Sequence, residues 1–148
     1  MQKFLRGLES AVLFLTRIGF GAVMFVHGWT RIVDGSGQYV PRLEAAGLPA
    51  PTLFFWGAVV LEIGGGVLLA FGVLTRIVAA VFGAEFVMTG LWLHWWNGFA
   101  IRDGGYEYSL VLVLLALVLV GFGGGVVAVD HLIFGRKGDD DQAAYPSY

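Results

Sequence analysis

The 148-residue chain contains no cysteine. Thiolate nucleophiles, iron–sulfur ligation, covalent haem attachment and disulfides are therefore excluded. Any redox chemistry must use a bound organic molecule, a His/carboxylate metal site or a partner subunit. Charge is scarce as well: 14% of residues are Asp, Glu, Lys or Arg, against about 25% in a soluble domain. The formal net charge is −2, so the composition offers nothing to nucleic acid. The chain lacks a phosphate-binding loop, an internal repeat of useful period and a short His-x-x-His or Glu-x-x-His ligand motif. Glycine is abundant at 23 residues, but without the collagen period.

What the chain does have is oil. It is 57% hydrophobic, with a mean hydropathy of +0.77. That is a membrane composition, and the length suits one domain. Four windows reach the roughly 20 apolar residues that a spanning helix needs: residues 10–30, 52–73, 77–96 and 106–127. The link between the second and third is so short that the two must form an antiparallel hairpin. The first window is broken by Arg17 and is too long for a signal-peptide core, so it reads as a retained helix. Lys3, Arg6, Arg76, Arg136 and Lys137 fall on one side of the membrane, and Arg31, Arg42 and Arg102 on the other. That imbalance predicts cytoplasmic N- and C-termini. The first outward loop holds a turn, Asp34-Gly35-Ser36-Gly37, and then a short helical candidate at residues 39–46 ended by Gly47. Residues 130–134 read as a brief interfacial segment, and residues 136–148 as a disordered acidic cytoplasmic tail. The expected fold is an all-α membrane protein: a four-transmembrane-helix bundle over residues 1–135, with a short extracytoplasmic helix in the first loop.

Arg17, Glu62 and Glu85 lie near mid-span in three of the four windows. Charges there are costly in lipid, so they face protein or a wet cavity and pair with one another. A rise of about 1.5 Å per residue puts Arg17 about 20 Å below the outer end of its helix, Glu85 about 18 Å and Glu62 about 14 Å. Helical side chains lean toward the N-terminus. Depth and lean together predict an Arg17–Glu85 ion pair, with Glu62 as third member. Such a trio is either structural glue that sets helix register, or a proton relay and polar floor for a quinone or other small molecule. One Arg against two carboxyls leaves one of them without a full partner, and that is a natural place for a proton.

His27 and His94 sit at matching depth near the outer ends of the first and third helices. With Glu62 they would make a His/His/carboxylate ligand set. Nine residues separate Glu85 from His94, which turns them to opposite faces of an unkinked helix. We therefore assign no metal; the plain role for each His is a cap or a bond to a loop carbonyl. Trp92, Trp95, Trp96 and Phe99 cluster at the mouth of the third helix, with Trp29 and Trp56 at similar depth on its neighbours. An aromatic belt at the headgroups accounts for them, and a stacking pocket for an aromatic ligand is the sharper alternative. Ala79/Gly83, Ala80/Ala84 and Gly121/Gly125 are small residues four apart, which suits tight helix packing.

An ordered set of short motifs runs through residues 13–120. It comprises Arg17-x3-Gly21-x5-His27-Gly28-x2-Arg31, then Gly47-Leu48-Pro49-x-Pro51, then Glu62-x-Gly64-Gly65 followed by Gly72-x2-Thr75-Arg76. It ends with His94-x2-Asn97-Gly98-Phe99 and Gly104-Gly105-Tyr106-Glu107-Tyr108. This set resembles the DoxX family of bacterial and archaeal membrane proteins. The resemblance implies a four-helix protein of the inner (plasma) membrane. It also implies an association with quinone-linked sulfur oxidation, as the small subunit of a thiosulfate:quinone oxidoreductase, or with complexes that resist oxidative and thiol stress. Arg17, His27, Glu62, His94, Asn97, Tyr106 and Glu107 match the pattern.

The functional expectation is a subunit of a quinone-linked or oxidative-stress-related oxidoreductase complex. The alternatives are a non-catalytic accessory or scaffold subunit and a small-molecule- or lipid-binding membrane protein. The expected partners are the lipid bilayer and other membrane subunits or further copies of the chain. No cofactor is expected on this chain alone; a quinone is the candidate ligand. The expected sites are the buried cluster Arg17, Glu62 and Glu85, and an outer-mouth pocket of His27, Trp29, Arg31, Trp56, His94, Asn97, Tyr106 and Glu107. Glu107 is placed to reach Arg31 or Arg102.

Overall fold

The computed structural model describes residues 2–125 and 127–130. The expected interfacial segment falls outside them beyond Asp130, as does the whole of the acidic tail. Every regular element among the described residues is a helix. Helix α1 spans Gln2–Asp34, longer at both ends than the expected residues 10–30. No turn signal interrupts it before Gly35, whose φ of 75° suits glycine and ends the helix. Arg6, Glu9 and Asp34 extend it at little cost, because charged side chains near helix ends reach polar surroundings. Helix α2 is Ser36–Ala45, the short helix expected in the first loop.

The second span starts at Pro51, where the fixed φ and missing N–H suit the first turn. It runs as α3 (Pro51–Val60), a π turn (Leu61–Gly65) and α4 (Gly66–Phe71). The glycine triplet 64–66 marks the π turn, where the wider winding admits one extra residue. The chain then reverses through Gly72 and Leu74, both at positive φ, into α5 (Thr75–Thr89). The Asp130 carboxylate accepts hydrogen bonds from the Leu74 and Thr75 N–H groups at 2.7 Å each. It supplies the N-terminal cap that α5 lacks locally. The third span continues beyond α5 as a second π turn (Gly90–His94) and a 3-10 turn (Trp95–Asn97). Helix α6 (Glu107–Phe122) is the fourth span. It stops short of the expected residue 127, because Gly123 and Gly125 take positive φ.

The first two spans meet backbone to backbone. A Cβ on Gly21 would stand 2.5 Å from the Gly66 carbonyl oxygen, and one on Gly66 2.7 Å from that of Gly21. Helices α5 and α6 form the other close pair, with Gly83 facing Ala116. Ala80, Ala84 and Gly121 face outward and do not pack in the bundle. Phe20, Met24, Leu69, Phe82, Phe86 and Leu119 fill the centre. The outer faces are apolar as well: Leu15, Val60, Phe71 and Ile77 are each more than 60% exposed. So large an uncovered apolar surface requires lipid around it. The first three spans are each long and apolar enough to cross a membrane, and the shorter, apolar α6 completes a membrane helical bundle.

Candidate buried polar site

The loop end of the bundle, under α2, gathers a group of buried and half-buried polar side chains. Its base is a close approach of α1 to the π turn of the second span. A Cβ on Gly28 would lie 2.6 Å from Ile63 Cγ1 and 3.0 Å from Glu62 Cβ. Gly28 thus lets α1 run against Glu62. Arg31 comes one turn later and reaches back, its Nε 2.8 Å from Glu62 Oε2. The contact is an ion pair, and among the described residues no other side chain reaches the Glu62 carboxylate oxygens. Glu62 is fully buried, while the Arg31 side chain keeps 22% of its surface. The Arg31 guanidinium also lies 5.2 Å from the centre of the Tyr39 ring on α2. The Tyr39 hydroxyl donates to Asp34 Oδ2 at 3.3 Å. Burial first, and then the neighbouring Asp34 carboxylate, raise this phenol's pKa against the opposing pull of Arg31 and Arg42.

Glu85 on α5 is half-buried, and its Oε2 is fully enclosed without a hydrogen-bond partner. Glu62 and Arg31 are the charges that act on it. His27 Nε2 and the Tyr108 hydroxyl are 3.1 Å apart, with their rings stacked. His94 Nδ1 lies 2.8 Å from the Gly104 carbonyl, which can only accept, so Nδ1 carries the hydrogen. Glu62, Arg31, His27, His94, Tyr39 and Tyr108 line a cavity of about 300 Å³. The π turn at Gly90–His94 brings His94 here. One extra residue in a turn rotates the remainder of the helix by about 100°, so the opposite-face expectation for an unkinked helix does not hold.

Arg17 does not belong to this group. It sits at the hairpin end, packed beside Gly72 and donating through Nη1 to the Gly124 carbonyl at 3.1 Å. Phe14 stacks near it, and Asp130 is the charge that acts on it. Glu62 lies level with Gly28, eleven residues along α1 from Arg17, or about 16 Å. The expected Arg17–Glu85 pair is therefore replaced by Arg31–Glu62, with Glu85 beside it. The side-chain lean is informative: Arg31 leans inward along α1 and Glu62 outward, so they converge. Ending α1 at residue 30 hides this by putting Arg31 outside the span.

Of the expected mouth residues, the structure brings His27, Arg31 and His94 together around the cavity. It leaves Trp29 and Trp56 half-exposed on outer faces, Trp56 edge-on to Phe55. Asn97, Tyr106 and Glu107 build the loop between the third and fourth spans. Asn97 Nδ2 donates to the Gly104 carbonyl at 3.2 Å, and Tyr106 stacks on Trp95. Glu107 Oε2 accepts the Ile101 N–H at 3.0 Å and pairs with neither Arg31 nor Arg102. Gly105 needs to be glycine there, since a Cβ would collide with the Gly98 and Phe99 backbone. Tyr39 and Thr89 are cavity residues absent from the expected set. The Arg pairing Tyr39 makes from an adjacent helix leaves no spacing signal in the sequence. Among the described residues no three His or acidic side chains are grouped to hold a metal ion.

Residues 12–95 match the family model DoxX. This stretch holds Arg17, His27, Arg31, Glu62, Glu85 and His94, and ends before Asn97, Tyr106 and Glu107. Over 132 residues the chain is 28% identical to a Bacillus subtilis (strain 168) protein named "Putative oxidoreductase CatD", covering 88% of this chain and 92% of that protein. No solved structure matches the chain.

Proposed function

The chain belongs to the DoxX family, and from that premise we propose that it is an integral membrane subunit of a quinone-linked or oxidative-stress-related oxidoreductase complex. The observation that carries this reading is the cavity at the loop end. There the Arg31 guanidinium, the Glu62 carboxyl and the His27–Tyr108 pair line one space inside an apolar bundle, and the charge of Glu85 acts on Glu62 from outside that lining. A quinone takes up two electrons and two protons to become a quinol, so its site must be apolar and must also deliver protons. The residues present fit that demand. Arg31 and Tyr108 offer donors to ring carbonyl oxygens. Glu62 and Glu85 share one cation, so one proton balances the group's charge, and on Glu62, which lines the cavity, that proton is available to a ligand. About 300 Å³ is the lower end for ligand pockets and suits a small ring. The electrons come from a partner subunit that carries the redox centre.

The name of the Bacillus relative supports an oxidoreductase setting. The excess of Lys and Arg at the hairpin and terminal end supports an inner-membrane protein with cytoplasmic termini. The second reading is an accessory or scaffold subunit, or a binder of lipid or a small metabolite; the uncharged outer face of α6 favours a packing role. Native mass spectrometry of the gently solubilised protein separates them. A retained quinone is expected; a large partner without quinone, or a bound lipid alone, supports the second reading. Glu62→Gln is expected to lower quinone-dependent activity while assembly persists. If activity and assembly both survive unchanged, the proton role is refuted.

A further inference from the structure

The second and third spans leave the Gly72–Leu74 turn side by side, with α4 packed against α5. Toward the loop end they part. A crevice of about 50 Å³ runs between them. Phe54 and Ala58 form one wall, Met88 and Trp92 the other, and Leu43 and Leu48 the roof. Arg31, Thr89 and Leu93 line both this crevice and the polar cavity, so the two spaces share a wall. At the far side Phe54 is 38% and Trp92 51% exposed, on faces the bundle turns to lipid.

We propose that this crevice is the tail channel of the cavity. A membrane-dissolved ligand enters sideways between Phe54 and Trp92, seats its polar head beside Arg31, and leaves its apolar tail against Ala58, Met88 and Leu48. The inference rests on the ligand reading above and adds to it the class of ligand: a small hydrogen-bonding head on a hydrocarbon or isoprenoid tail. Almost all the lining is apolar, so a hydrated solute would lose its water there and gain no partners, whereas a tail loses nothing on leaving lipid. Met88 is unbranched and can swing to widen the gap. The roof is lightly held. Helix α2 buries none of its own residues, and Gly35 and Gly47, both at positive φ, bracket it. A hydrogen bond from Trp92 Nε1 to the Ala46 carbonyl at 3.0 Å clasps it to the third span.

The test uses full-length protein in nanodiscs, titrated with menadione, a naphthoquinone head without a tail, and with the same head carrying an isoprenoid tail. Quenching of tryptophan fluorescence reports binding. Ala58→Phe puts a ring in the crevice. Gly57→Phe adds the same bulk one residue away, where nothing lies within 4 Å of a Cβ. Ala58→Phe is expected to weaken the tailed ligand at least about tenfold, the worth of roughly two buried CH₂ groups. It is expected to leave menadione binding unchanged, and Gly57→Phe to leave both unchanged. If Ala58→Phe weakens both ligands equally or neither, the channel is overturned and the cavity reading stands. If the wild-type protein binds neither, the ligand reading falls and takes the channel with it.

Discussion

Replacing Arg31 by Met removes the cation that touches Glu62. Glu62 is fully buried and its carboxylate has no second partner among the described residues to replace the loss. Breaking one side of a buried pair costs about 3–5 kcal/mol when the remaining charge stays unpaired. Hydrogen bonds between membrane helices, measured against helices already inserted in lipid, average only about 0.6 kcal/mol and reach about 1.7. The expected loss for Arg31→Met is therefore about 2–3 kcal/mol. Glu62→Gln costs less, because the Arg31 side chain keeps 22% of its surface and can turn toward the mouth. In the double variant Glu62 no longer strands a charge and only Glu85 loses its cation, so about 1–2 kcal/mol of the summed loss should return. Reversible unfolding in mixed micelles, followed by tryptophan fluorescence, gives all four stabilities of the cycle. The same cycle on Arg17→Met and Glu62→Gln should be additive within about 0.5 kcal/mol, as expected for sites well over 10 Å apart. A coupling of Arg17 to Glu62 equal to or larger than that of Arg31 to Glu62 would refute the assignment of the pair.

The packing carries two more expectations. Gly66→Ala puts a methyl group 2.7 Å from the Gly21 carbonyl oxygen and 2.9 Å from the Phe25 nitrogen, both rigid backbone; it should cost about 1–3 kcal/mol in the same unfolding assay, whereas Gly64→Ala, with open space around it, should be near neutral. Glu107→Ala removes the acceptor for the Ile101 N–H at 3.0 Å; limited proteolysis should then cut between Asn97 and Tyr106 faster than in the wild type, and an unchanged cleavage rate would show that the loop does not depend on this bond.

Membrane class, the number of spans, the tight hairpin and the helix in the first loop were all legible in the sequence, because each comes from length, hydropathy and local turn chemistry. An apolar run of about 20 residues has one stable state in lipid, and that state needs no tertiary partner to be specified. The buried status of Glu62 was legible for the same reason. Which cation Glu62 meets was a different kind of question. It depends on where α1 ends, on the axial offset that Gly21, Gly28 and Gly66 allow between the first two spans, and on the turn at residues 61–65. Ending α1 a few residues early set the expected pair at Arg17 and Glu85 with Glu62 as third member, whereas the cation Glu62 meets is Arg31, about 21 Å along α1 from Arg17.

The mouth residues divide along the same line. Asn97, Tyr106 and Glu107 looked like site residues because their motif is dense, yet they fold a loop on itself. Tyr39, with no motif around it, became a wall of the cavity because α2 packs across Arg31. His94 faces the cavity through a π turn that no period of 3.6 anticipates. The amino-acid sequence by itself determined that polar groups would be enclosed among lipid-bound helices, since hydrocarbon cannot solvate them. Only the tertiary structure decided which of them share one enclosure, because that rests on helix phase and offset, and these are set by backbone contacts between residues far apart in the chain.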